Sequence, residues 1–219
     1  MSRPSGLRER KKQKTRLAIS EVATRLFIAQ GFDQVTVAQV AEAAEVSVNT
    51  VFNYFAAKED LMFDRAEELE LGLAQVVRNR RAGESALDAL ERSFLRAARS
   101  GTGPFLARNI RAFMATIEAS PALQARARLS LEYAEQHLAK ALAEETGAKA
   151  QDPSPRIVAA LVLGLVRLLV QEFSQRVHRG EGDATYRPAL ARLARSGFAQ
   201  LRAGLGAYPN QTSAAKRRG

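Results

Sequence analysis

The chain has 219 residues and a net charge of +10, from 33 Lys and Arg against 23 Asp and Glu, with 46% hydrophobic residues and neither cysteine nor tryptophan. That length and apolar content suffice for a well-buried core, and without cysteine there is no disulfide framework, thiolate metal site or cysteine nucleophile. The basic excess points to a polyanion or an acidic surface as partner.

Residues 1–16 carry Arg3, Arg8, Arg10, Lys11, Lys12, Lys14 and Arg16 against the single acid Glu9, and residues 1–11 read as a flexible basic arm. This end has no apolar signal core, and the most apolar run, Ile157 to Val166, is ten residues long before Arg167 interrupts it. That is short for a membrane span, and a cytoplasmic location is expected. From Leu17, apolar residues recur at Ile19, Val22, Ala23, Leu26 and Phe27 and stop at Gly31, the spacing of one helix face with a glycine stop. Thr36-Val37-Ala38-Gln39 has the capping-box pattern, which predicts a short second helix to about Ala44. Ser47 is a good N-cap for a third helix over 48–54, with Val48, Val51, Phe52 and Phe55 as its apolar members. Lys58-Glu59-Asp60 opens a fourth, long helix, its acids placed against the positive end of the dipole.

The periodicity stays helical beyond that point, which predicts an all-α chain of about nine helices. Arg81-Ala82-Gly83, residues 100–104, Ser120-Pro121 and residues 147–155 are the breaks. An eighth helix, about 156–179, is apolar nearly all round, and a ninth runs over about 186–205. With Leu190, Leu193 and Leu201 on the ninth, these two fit a dimer in which two helices from each subunit form a four-helix bundle; burial within one subunit is the competing reading. Residues 207–219 read as a disordered polar tail.

Two short helices joined by a three-residue turn, behind a supporting helix and a basic arm, form a helix-turn-helix over 35–54 whose second helix can enter a DNA major groove. Ser47, Asn49, Thr50, Asn53 and Tyr54 supply short or planar hydrogen-bonding groups suited to phosphates and base edges. The run Leu26-Phe27, Gly31-Phe32-Asp33, Thr36-Val37, Val40-Ala41, Ala44, Val46-Ser47, Thr50-Val51-Phe52-Asn53-Tyr54-Phe55 and Lys58-Glu59-Asp60-Leu61 resembles the DNA-binding domain of the TetR family of bacterial repressors. The resemblance covers about residues 12–71 and implies a ligand-sensing and dimerisation body over 72–206. It implies a homodimer on a palindromic double-stranded operator, released by a small, largely apolar effector. It places Thr36, Tyr54 and Lys58 on phosphates; Val48, Asn49 and Asn53 are expected on bases, with Val48 against a thymine methyl and either Asn on adenine, and Ser47 and Thr50 on either bases or backbone.

Two positions depart from the family pattern. Glu45 stands where the turn commonly has glycine, at a cost of about 1 kcal/mol if its φ is positive; Ala57 stands where a capping serine is common, which forgoes ~1 kcal/mol. For the effector site, Phe94, Phe105, Phe113, Met114, Ile117, Tyr133 and His137 are the candidate lining residues. His137 and His178 are far apart, and no Gly-rich phosphate loop, HExxH or nucleophile motif is present. No catalytic residue, metal or cofactor is therefore expected. The alternative function is a basic amphipathic protein of the membrane surface or a nonspecific nucleic-acid binder.

Overall fold

The computed structural model describes residues 6–64, 66–100 and 110–204, and every regular element among them is an α-helix. In chain order these are α1 (Leu7–Gln30), α2 (Val37–Ala43), α3 (Val48–Tyr54), α4 (Lys58–Met62), α5 (Ala66–Arg78), α6 (Ala86–Ser100), α7 (Ile110–Ala119), α8 (Pro121–Thr146), α9 (Ser154–His178) and α10 (Asp183–Ala203). Ten helices replace the expected nine because the long fourth helix is two, α4 and α5. The chain leaves helical geometry at Phe63 (φ −108°, ψ 36°), where the Phe63 ring meets Phe113 edge-on at 6.4 Å and Asp64 takes an ion pair from Arg16 at 2.5 Å. Helix α1 starts at Leu7, so residues 7–11 are helical where a flexible arm was expected.

The chain forms two compact units: Met1–Leu73 with Pro104–His137, and Ala74–Gly103 with Leu138–Gly219. In the first, Ile19, Ala23 and Phe27 of α1 pack with Phe32, Val35, Val40, Val51, Phe55 and Leu61 around one core. Ile117 of α7 and Leu123 of α8 belong to that same core, so 110–137 group with the helix-turn-helix, across the 71/72 boundary that the sequence suggests. Polar contacts reinforce the grouping. Ser120 donates to Asp33 at 3.1 Å, and the Arg126 guanidinium of α8 bridges Asp60 of α4 (3.1 Å) and Glu70 of α5 (3.3 Å).

In the second unit α10 packs on α6 and α9. Gly197 makes the α9 contact close, because a Cβ there would overlap the Leu165 side chain. Helix α9 is 25 residues, longer than the ten-residue apolar run, and by length and composition alone it could cross a membrane; Arg167 does not break it. One side of α9 is buried through Ala159, Val162, Leu163, Val166, Leu169 and Phe173. The other carries Ile157, Leu161 and Leu168, at 55%, 42% and 47% exposure, in register with an exposed Gly164.

Ion pairs line the exterior of this unit: Arg78–Glu144, Arg80–Glu145 and Arg92–Glu84 at 2.8, 2.5 and 2.7 Å. The Arg92 fork and the Arg81 backbone N–H hold the Glu84 carboxyl at about 2, from an ordinary 4.5. Ser85 and then Arg202 lower Asp88, and Arg78 lowers Glu144. A carboxyl depressed in the folded state stabilises it above the unfolded value and loses that contribution as the pH falls through the folded one. The melting temperature should therefore decline as pH is lowered from about 4.5 towards 2. Scanning calorimetry of Glu84→Gln should show a shallower decline, and an unchanged profile would mean that the Arg92 pair does not couple to folding.

Candidate DNA-reading face

Helix α2 starts as its sequence dictates. The Thr36 hydroxyl accepts from the Gln39 backbone N–H at 3.2 Å, while the Gln39 side-chain oxygen accepts from the Thr36 N–H at 2.7 Å. The Thr36 hydroxyl also donates to that side-chain oxygen at 3.0 Å. Its proton is thus engaged in the cap, and its remaining capacity is that of an acceptor.

The turn into α3 passes through Glu45 at φ 54°, the left-handed conformation that glycine adopts most easily. At the start of α3, Ser47 Oγ accepts from the Thr50 N–H at 3.0 Å and lies 2.8 Å from Thr50 Oγ1. One of these two hydroxyl protons joins the pair, which leaves the other free to donate outward.

Along α3 the apolar residues separate into two rows. Val51 and Phe55 are buried in the core, whereas Val48 and Phe52 are 41% and 52% exposed. Asn49 and Asn53 are exposed beside them. Residues at i and i+4 share a helix face, so the outward side combines an apolar ridge, Val48 and Phe52, with an amide ridge, Asn49 and Asn53. Amides read donor and acceptor patterns on base edges, and an apolar ridge suits thymine methyl groups.

Phe52 is the residue that sequence reasoning left among the apolar members of the helix without a reading role. Its exposure was not legible, since rows 48/52 and 51/55 lie about 60° apart on a helical wheel and fit within one apolar stripe.

The flanks hold this face in place. Tyr54 is half-buried, and its carbonyl accepts from Arg16 at 3.3 Å. The Arg16 guanidinium lies 4.9 Å over the Phe55 ring. Lys58 Nζ donates to the Phe32 carbonyl at 2.6 Å and sits 4.2 Å above the Phe32 ring. This ammonium is therefore part of the packing around the helix-turn-helix, with its remaining N–H groups available to a second acceptor. Ala57 supplies no side-chain cap, but Asp60 accepts from its backbone N–H at 3.2 Å, so one half of the capping box is made.

The effector-site candidates fall in different places. Phe105 lies outside the described residues. In the first unit, Ile117 is in the core, Phe113 packs against it, Met114 and His137 are half-buried, and Tyr133 is exposed. In the second unit, Phe94 rests its ring on Phe198 at 5.7 Å. An open groove of about 640 Å³ on α6, lined by Asp88, Glu91, Arg92, Leu95, Arg96 and Arg99, contains none of the seven. Among the described residues, no cluster of His, Cys, Asp or Glu has the arrangement of a metal site.

Residues 19–64 match the family model described as bacterial regulatory proteins of the tetR family. Residues 84–206 match a second model, described as the MftR C-terminal domain. The chain is 33% identical over 177 residues to the HTH-type transcriptional regulator TcmR of Streptomyces glaucescens, covering 78% of each chain. Among solved structures it is similar to NalD, the secondary repressor of the MexAB-OprM multidrug efflux pump in Pseudomonas aeruginosa, with a TM-score of 0.54 at 22% identity over 86% of this chain and 97% of that one. It is also similar to the Thermus thermophilus repressor FadR in complex with lauroyl-CoA, with a TM-score of 0.53 at 24% identity over 91% of this chain and 98% of that one.

Proposed function

The chain belongs to the TetR family of bacterial regulatory proteins; from that premise we propose that it is a DNA-binding, ligand-responsive transcriptional repressor that reads a palindromic operator as a homodimer through the outward face of α3. The observation that carries this reading is the paired ridge of Val48 with Phe52 and Asn49 with Asn53, exposed on a helix that buries Val51 in the core. Asn49 and Asn53 bind base edges, and Val48 and Phe52 meet thymine methyls. The free proton of the Ser47/Thr50 pair and the Tyr54 and Lys58 side chains go to the DNA phosphates, while Thr36, whose hydroxyl proton is engaged with Gln39, holds the start of α2 in place. The exposed α9 stripe pairs with the same stripe of a second copy, because two heads must match half-sites about one DNA turn, ~34 Å, apart. Residues 12–71 carry the DNA-binding elements, with 110–137 packed against them, and sensing and dimerisation fall within 72–206.

A small effector releases the operator only if it binds one arrangement of the two heads better than the other. FadR, with its bound lauroyl-CoA, is a fold relative in which a small molecule is seated; Tyr133 and His137, one turn apart on α8, are the proposed contacts here. A membrane-surface role is not favoured, since base-reading amides serve no purpose on lipid.

The test is fluorescence anisotropy of the protein on a duplex from immediately upstream of its own gene, against a scrambled duplex. Asn53→Ala should weaken binding to the first by about 1–3 kcal/mol per half-site and leave the second unchanged. Equal affinities for both duplexes, with and without the substitution, would sink the operator-reading role of α3.

A further inference from the structure

The basic turns of α1, residues 8–14, stand outside the core. All seven are exposed, and from Arg8 onward the first buried residue of α1 is Ile19. This stretch carries Arg8, Arg10, Lys11, Lys12 and Lys14 against Glu9. At 3.6 residues per turn, Arg8, Lys11 and Lys12 share one face and Arg10 and Lys14 flank it, while Glu9 and Gln13 fall together on the remaining side. The pairs Arg8–Lys12 and Arg10–Lys14 set like charges at i and i+4, which destabilises a bare helix by a few tenths of a kcal/mol each. An anionic partner relieves that repulsion.

The place where this extension is anchored identifies the partner. Arg16, the next cation along α1, donates to the carbonyl of Tyr54, the last residue of α3, and is held there by Asp64. The basic turns therefore leave the core beside the C-terminal end of the reading helix and reach about 12 Å from Arg16 to Arg8. A B-DNA duplex carries one phosphate charge per ~1.7 Å of axis, so a helix of that reach spans several. Between Arg8 and Arg16 no side chain is apolar, so this segment has nothing to insert into a bilayer.

We propose that residues 8–14 of α1 are a second DNA-binding element, a cationic helix that lies on phosphates beside the groove occupied by α3 and strengthens binding without reading sequence. This rests on the proposed role of α3 and is tested separately from it. The full-length variant K11Q/K12Q/K14Q, whose substitutions lie outside the core, is compared with wild type on the upstream and scrambled duplexes across a salt series. The slope of log K against log salt should become shallower by about 0.9 for each phosphate that is no longer neutralised, ~2.7 per chain. Affinity for the two duplexes should fall by the same factor, so their ratio is preserved. An unchanged slope would overturn the proposal, as would a changed ratio, which would mean that the segment reads bases. Binding of wild type but not variant to phosphatidylglycerol vesicles, with the DNA slope unaltered, would assign the segment to lipid instead. Failure of α3 as the reader shows elsewhere, in the response to Asn53→Ala.

Discussion

Leu161→Arg is expected to yield a folded monomer that binds the upstream duplex about 10²–10⁴-fold more weakly than wild type, the avidity that linking two binding modules supplies. Ile157, Leu161 and Leu168 are the large apolar residues that α9 leaves exposed, and with Gly164 they follow the i, i+4, i+7, i+11 spacing of one face. Eleven residues at 1.5 Å each make a stripe about 16 Å long, with a glycine near its middle where a neighbouring helix can come close. Such a stripe calls for a cover, and a second copy of the same stripe is self-complementary in the way that a two-fold dimer requires.

Arginine at its centre places two like charges in the interface, which costs dimer affinity while leaving the buried side of α9 untouched. The added positive charge by itself attracts DNA, so weakened binding reports unpaired heads rather than repulsion. Sedimentation equilibrium checks the monomer, and anisotropy checks the affinity. A variant that remains dimeric would place the interface elsewhere.

Much of the reading head was legible in the sequence because its elements are fixed locally. The Thr36/Gln39 capping box, the Ser47 cap and the Gly31 stop are formed by residues within a few positions of each other. The φ of Glu45 was left open by the sequence, where only the glycine common at that turn in the family pointed to the left-handed region it occupies. What was not legible depends on distant partners. The break between α4 and α5 has no Gly or Pro to announce it, and it is held by Arg16 from α1 and Phe113 from α7. The grouping of 110–137 with the head rests on Ile117, Ser120 and Arg126, whose partners are 56–87 positions away for the polar pairs. Lys58 is the same kind of case: the family resemblance places it on phosphate, and the Phe32 carbonyl and ring that also engage it come from a different turn. Helix α10 begins at Asp183, earlier than its apolar pattern, because Asp183 accepts from the Tyr186 hydroxyl at 2.7 Å and pairs with Arg187.

Phe27→Ala should do the converse of Leu161→Arg, removing the reading head while sparing the dimer. Phe27 is completely buried, its ring meets Phe32 edge-on at 4.9 Å, and Lys58 Nζ is 5.8 Å from its centroid. Truncating a buried phenylalanine costs about 3–5 kcal/mol, a large share of the roughly 5–15 kcal/mol that typically stabilises a domain. With the Phe27 ring gone, Phe32 loses its support, and the Phe32 carbonyl that fixes Lys58 shifts with it. The α3 face is then no longer presented as a rigid ridge. Leu161, Ile157 and Leu168 belong to the other compact unit, whose buried residues include Leu163 and Phe198 and not Phe27. Phe27→Ala should therefore melt at a lower temperature, lose the distinction between upstream and scrambled duplexes, and still sediment as a dimer. Phe27→Leu, which keeps most of the volume, should recover part of the melting temperature and of the discrimination together. If discrimination returned without stability, or survived in Phe27→Ala, the geometry of α3 would not depend on this core. Joint recovery would tie sequence reading to the packing of one ring beneath Phe32.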